Sequence, residues 1–276
     1  MAMIAHLATS SEQEAATGAR MLMPMPPPPP CTTVAARMQA CDVALPTLQP
    51  CRLPCQQLWA HRGKPQMHVA VRQLRHRLSP HMRMPALDLP KLAQIEAEEA
   101  RIYHDWRRTV CWPLSMADVQ RFIALCTGGD GALRTTPVWI RSHDGHSQLP
   151  MVPAHHSAER LAQLLRLLAD GAVGVGMTAA VQVLALVNNA HAFRDGNGRL
   201  GRALFNFCLH RAGLPDQCFL PLKTLTVLSQ GGYEIRLREA ELYDRWDGLY
   251  GYHCTTTELY AWLGEQPAAP DQNEDV

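Results

Sequence analysis

The chain has 276 residues, 47% of them hydrophobic and 18% charged, enough apolar material to bury a full core. Lys+Arg 26 against Asp+Glu 25 leaves a net charge of +1, which excludes a protein that binds nucleic acid through its whole surface. The balance hides a split: residues 1–87 carry 9 Lys/Arg and 3 Asp/Glu, a net of +6, and residues 88–276 carry 17 and 22, a net of −5. The first stretch also holds 12 of the 21 Pro and 9 of the 12 Met, and compositions so different argue against one shared core. Nine Cys is an odd number at irregular spacing, and Cys111, Cys126, Cys208 and Cys218 sit among apolar neighbours. That pattern suits free thiols packed as small hydrophobes in a reducing, cytoplasmic setting. Secretion as an effector is compatible with it, although Glu12 and Glu14 follow a short apolar start where a signal peptide would be basic.

In chain order, Pro24, Pro26 and the run Pro27–Pro30 permit only polyproline II or irregular backbone. Further prolines interrupt the chain as far as Pro85, so 1–87 reads as a disordered, basic arm, with a short helix at Val69–Leu78 as the one exception. Cys51 and Cys55 ahead of His61 and His68 are zinc-capable, but their spacing fits no closed zinc module. From Asp88 the pattern turns helical. Lys91–Arg108 carries a partial stripe of Leu92, Ile95, Ile102 and Trp106. Ser115 caps a second helix that Gly128-Gly129 ends. The segments 137–140 and 148–152 flank Asp144-Gly145 and predict a hairpin. Ser157 caps a third helix, whose Leu161, Leu164, Leu165 and Leu168 repeat at helical spacing. Gly171 to Val187 has only Thr178 and Gln182 as polar residues. Its crowded glycines favour a loop and then a central buried helix, Thr178–Asn188, capped by Thr178, over a membrane span. Helices at Gly198–Ala212, Glu234–Asp247 and Thr257–Leu263 follow. The segment 229–236 is irregular because of Gly231-Gly232, and 265–276 is an acidic tail.

The chemistry concentrates in His191-Ala192-Phe193-Arg194-Asp195-Gly196-Asn197-Gly198-Arg199-Leu200-Gly201-Arg202. It lies between the end of the buried helix and the start of the next. Asp195-Gly196-Asn197-Gly198 therefore offers backbone N–H groups at a helix N-terminus, where the dipole favours anions. Arg199 and Arg202 are three residues apart and leave one face of that helix. Guanidinium forks suit phosphate. Asp195 in an anion site makes sense if a divalent metal bridges it to phosphate. His191 can act as a base near neutral pH, and Phe193 anchors the loop in the core. Each part alone is commonplace; the joint spacing is what points to a site.

That segment matches the signature His-x-Phe-x-Asp-Gly-Asn-Gly-Arg-x-x-Arg at every fixed position and resembles the Fic domain family. Gly131-x-x-Arg134-x-x-x-Val138-x-Ile140 is similar to the segment leading into that family's flap hairpin, and the resemblance spans roughly 88–264. It implies a mainly α bundle of six to eight helices around the buried central helix, with one β-hairpin flap. It also implies a protein adenylyltransferase that moves AMP from Mg·ATP to a Ser, Thr or Tyr hydroxyl of a target protein. His191 would take the hydroxyl proton and Asp195 would hold Mg²⁺. Gly196, Asn197 and Gly198 would line the anion hole, with the Asn197 side chain on phosphate oxygens, and Arg199 and Arg202 would bind the β- and γ-phosphates. Val138, Trp139 and Ile140 would dock the target by strand addition.

Gly198 stands where phosphate-transferring relatives carry Lys, which favours AMP over phosphate; UMP transfer and a catalytically silent module are the alternatives. Many members restrain themselves with a Ser/Thr-x-x-x-Glu-Gly/Asn helix whose Glu pairs with the second motif Arg. No such motif stands in this chain. The expectation is therefore a separate antitoxin that supplies the Glu, or an unrestrained enzyme. Glu14 and Glu258 are the first internal acids to consider.

Overall fold

The computed structural model describes residue 58 and residues 60–77, 88–141 and 148–266. Its helices are α1 (Pro65–Leu74), α2 (Leu89–Arg107), α3 (Met116–Thr127), α4 (Ala154–Ala169), α5 (Met177–Ala190), α6 (Asn197–Arg211), α7 (Lys223–Leu228), α8 (Gly232–Tyr243) and α9 (Trp246–Glu265). Strands β1 (Trp139–Arg141) and β2 (Gln148–Pro150) pair antiparallel, Trp139 opposite Pro150 and Arg141 opposite Gln148. The fold is mainly α, as the periodicity requires. No described helix is long and apolar enough to cross a membrane.

The nearly all-apolar α5 is the axis: Ala179, Ala180, Val181, Val183 and Ala185 are fully enclosed. Its most extensive partner is α6, and α4, α8 and α9 also pack on it. Small residues allow the close α5–α6 approach. A Cβ on Gly201 would stand 2.6 Å from Asn188 Nδ2, so Ala there would displace the Asn188 side chain. Ser115 caps α3 in a full capping box with Asp118, and Gly128 ends it at φ 68°. Gly213 follows the end of α6 at φ 104°, as its position after Ala212 suggests.

Several expectations need correction. Ser157 is not a cap: α4 starts at Ala154, and Ser157 is buried in its first turn, donating to the carbonyls of Val152 and Pro153. Thr178 does not cap α5, which begins one residue earlier behind Gly176. The helix expected over Glu234–Asp247 breaks at Asp244, which is left-handed at φ 54°; α9 then runs unbroken from Trp246 past Thr257. Gly231-Gly232 is a boundary between α7 and α8, with Gly231 at φ 89°.

The largest correction concerns the arm. Its described part, around α1, joins the core. Pro65 opens α1 at a position where a missing N–H costs nothing. Met67, Ala70, Val71 and Leu74 form a buried i, i+3, i+4, i+7 stripe that packs on α9 and α7. Val69, the expected start of the short helix, faces out. Arg236 of α8 holds the end of α1 by donating to the carbonyls of Leu74 at 2.6 Å, Gln73 at 2.8 Å and Arg75 at 3.1 Å. The polyproline run, Cys51, Cys55 and the hairpin tip with Asp144-Gly145 lie outside the described residues, as does 267–276. Among the described residues, His61 and His68 belong to no cluster of three metal-capable side chains.

Candidate active site

The motif turns between α5 and α6. His191 ends α5 in the left-handed region, φ 47° and ψ 50°, while its N–H still donates to the Val187 carbonyl at 3.1 Å. That conformation swings the chain off the helix axis. Phe193 then inserts into the core at 1% exposure, the anchor its type suggested. Gly196 caps α6 at φ 87°, so a side chain there is strained by the backbone, and its Cβ would press Ile123 Cδ1 at 2.9 Å.

Asn197 departs from its expected role. Its Oδ1 accepts from Phe193 N–H at 3.0 Å and its Nδ2 donates to the Phe193 carbonyl at 2.7 Å, all buried. The buried side chain staples the loop shut through Phe193. Its backbone N–H, at the start of α6, is suited to an anion.

Asp195 is mostly solvent-exposed, accepting from Gly196 N–H at 2.6 Å and from Arg199 Nη2 at 3.0 Å. A lone exposed carboxylate beside an anion-binding turn fits Mg²⁺, which takes one or two carboxylates and fills its shell with substrate phosphates. Arg199 also donates to the Cys126 carbonyl, which fixes it against α3.

His191 is partly buried. Burial lowers its pKa below that of a free imidazole, with Arg134 and Arg238 pushing the same way; a hydrogen bond to the Asn188 backbone and the Asp195 charge oppose them. With one ring nitrogen bonded to a carbonyl, the other carries a lone pair that can accept a proton at neutral pH.

Two residues that reasoning from spacing undervalued complete the site. Arg134 ties the motif to the flap. Its Nε donates to the His191 carbonyl at 2.6 Å, and its backbone N–H to the Ala192 carbonyl at 3.0 Å. Its guanidinium also reaches Thr136 O at 3.0 Å, Ser157 Oγ at 2.5 Å and the Val152 carbonyl. The flap base is thereby held beside His191. Val138 is half-buried there, its carbonyl accepting from Met151 N–H at 2.9 Å, and Trp139 is exposed. Ile140 lies in β1, and its side chain is outside the described residues.

The second is Glu99 of α2. It grips Arg202 with a bidentate pair: Nε donates to Oε2 at 2.9 Å, and Nη2 donates to Oε1. Both side chains are largely enclosed, at 16% for Arg202 and 8% for Glu99. The internal acid that meets the second motif Arg is therefore Glu99, which was not among the acids singled out from the sequence. Ile95 stands four residues before Glu99 and Ala100 directly after it, so neither flank matches the restraining motif. Glu99 itself occupies this guanidinium. Glu258 is exposed on α9, and Glu14 lies outside the described residues.

Residues 114–209 match the family model of the Fic/DOC family. The chain carries a Fic domain. Its fold is similar to that of a Fic family protein from Desulfovibrio desulfuricans G20, with TM-score 0.53 and 16% identity, over 86% of this chain and 75% of the other. A Fic domain containing signaling protein from Bacteroides thetaiotaomicron VPI-5482 gives TM-score 0.51 and 13% identity, over 87% of this chain and 99% of the other. At these identities the likeness is one of fold. No curated protein matches the sequence. The match to the Fic/DOC family supports Fic-type transferase activity in general terms.

Proposed function

We propose that this Fic domain transfers AMP from Mg·ATP to a hydroxyl side chain of a target protein. The observation that carries the reading is that one turn presents a neutral-leaning His191 and the amide-rich start of α6, with the flap base bonded to the same His191 carbonyl through Arg134. The target segment lies along β1. His191 takes the proton from the target hydroxyl, and the oxygen forms a bond to the α-phosphorus. The bond from that phosphorus to the β-bridging oxygen breaks, and pyrophosphate leaves with the electron pair. Mg²⁺, held by Asp195, supplies charge neutralisation on the phosphate oxygens when bound. The backbone N–H groups at the start of α6 hold the α-phosphate, and Arg202 holds the far end of the polyphosphate.

Arg202 reaches phosphate only when Glu99 lets go, because both anions seek one fork. The reading is thus of a self-restrained transferase, not of the unrestrained enzyme that the missing motif suggested. Gly198 opens α6 beside Arg202, and its small size supports AMP over phosphate transfer. The test is incubation of the full chain, and of its Glu99→Gly variant, with a cell lysate and α- or γ-labelled ATP or α-labelled UTP. Label from the α position of ATP alone supports AMP transfer. Label from the γ position identifies phosphate transfer, label from UTP identifies UMP transfer, and no label with either protein identifies a silent module.

A further inference from the structure

The C-terminal ends of α2 and α6 meet on the far side of the molecule. At about 1.5 Å per residue, His210 stands about 20 Å along α6 from the motif turn. An open cleft of about 380 Å³ lies there, lined by Arg107, Arg108, Val110, Phe207, His210 and Arg211. Cations in the last turn of a helix are favoured by the dipole, which explains finding basic residues at either end. It does not explain why three arginines and a histidine line one cleft together with Val110 and Phe207.

Their partners leave capacity for a ligand. Arg211 has no ion pair among those found between described residues; it stacks on the Trp112 ring at 3.5 Å, and that ring in turn stacks on Phe207. Arg107 is paired at 2.7 Å with Asp216, whose side chain is 83% exposed, and Arg108 is paired with the half-exposed Asp105. Such surface pairs are weak and readily exchanged. Against two exposed carboxylates stand three permanent cations. His210 belongs to the wall of the cleft: its Nδ1 lies 2.8 Å from both the Asn206 carbonyl and the Tyr103 hydroxyl, and its Nε2 is sealed from solvent.

We infer that this cleft is a second binding site, for a small organic phosphomonoester. One fork saturates a carboxylate, whereas a phosphate presents three terminal oxygens that several forks share. The volume exceeds what phosphate alone fills and lies at the lower end of the range for small-molecule sites. Val110, Phe207 and the Trp112–Arg211 stack offer a flat apolar surface for the organic part. The site is independent of the transfer chemistry at the motif.

The test is calorimetric titration of the full chain, at low salt, with phenyl phosphate, inorganic phosphate and benzoate, repeated on Arg211→Glu and Arg108→Glu. The expected result is saturable binding of phenyl phosphate, at least about fivefold tighter than either of the other two. Each charge reversal should weaken it at least about tenfold without lowering the melting temperature. These two residues are exposed, so folding should survive both changes. Equal binding by wild type and both variants would place the ligand elsewhere and overturn the assignment, as would no saturation below about 1 mM phenyl phosphate. A phosphotyrosine peptide binding at least about tenfold tighter than phenyl phosphate would overturn the small-molecule source in favour of a protein one.

Discussion

The turn His191–Arg202 and the helix Leu89–Arg107 meet at one guanidinium, yet they are built by different rules. In the turn, several contacts run between neighbours in sequence: Asn197 bonds Phe193, Arg199 bonds Asp195, and Asp195 bonds Gly196. Helix geometry and glycine freedom dictate most of them. In α2 the contacts that matter reach across 103 residues to Arg202 and across 128 residues to Thr224. Nothing in the local pattern of an Ala- and Glu-rich helix distinguishes Glu99, which grips Arg202, from Glu98, which pairs with Arg101 in solvent. Contacts that depend on spacing are written in the chain; contacts that depend on docking are written in the fold.

The largest effect tests the turn. His191→Ala should reduce label transfer by at least about 10²-fold, the lower range for a positioned general base, while leaving the melting curve in place. Because burial lowers the His191 pKa, the acid limb of the wild-type pH–rate profile should fall below 6.5, the value for a free imidazole. A variant that keeps near wild-type rate removes His191 from the chemistry.

The next effect tests a remote element that composition concealed. The prolines and positive charge of 1–87 suggested that removing it would leave melting unchanged. With Met67, Val71 and Leu74 buried and Arg236 capping α1, the expectation reverses. Truncation to Met82 should lower the melting temperature clearly. Leu74→Ala in the full chain should cost about 2–5 kcal/mol in denaturant titration, as a buried Leu deletion does. Unchanged stability in both would show that α1 contributes nothing to the core.

Much of the fold was readable because it rests on period and punctuation. The stripe Leu161–Leu168, the capping box at Ser115, Gly128, Gly213 and the apolar α5 each carry their signal within one turn or two. The misses share a cause. Ser157 looks like a cap but is held as a buried partner of Arg134, 23 residues away. Asn197 looks like a ligand for anions but is consumed by the loop itself. α1 hides its stripe because the average composition around it is that of an arm. In each case a tertiary partner decides among local options that the sequence leaves equal.

Glu99→Gly tests where the two regions meet. Freed from the carboxylate, Arg202 becomes available to nucleotide, and transfer by the isolated chain should rise by about tenfold or more, the scale of one charged hydrogen-bonded pair. Arg202→Ala added to that variant should abolish the gain. Activation without Arg202 would mean that Glu99 acts by some other route.

The smallest effect comes from the acid one turn before Glu99. Glu96 accepts from the Thr224 N–H at 3.0 Å and the Thr224 hydroxyl at 2.6 Å, with its other oxygen buried and unpartnered. Burial raises its pKa to about 7, with the Glu99 charge adding to the rise and the Thr224 bonds and Arg202 opposing it. A carboxyl raised on folding stabilises the protein fully below its unfolded value of about 4.5, and that contribution is lost as pH climbs towards 7. His253, buried without partners and lowered to about 3, acts in the opposite sense and weakens the fold as pH falls below 6.5. The wild-type profile mixes the two slopes, so the informative quantity is a difference. Glu96→Gln keeps a neutral acceptor for Thr224 and removes the titration. Relative to wild type, it should gain about 1–3 kcal/mol of unfolding free energy between pH 5 and pH 8. A difference that stays flat with pH would show that Glu96 titrates as it does in the unfolded chain. The carboxylate face of α2 would then differ from solvent-facing Glu98 only through Glu99 and its hold on Arg202.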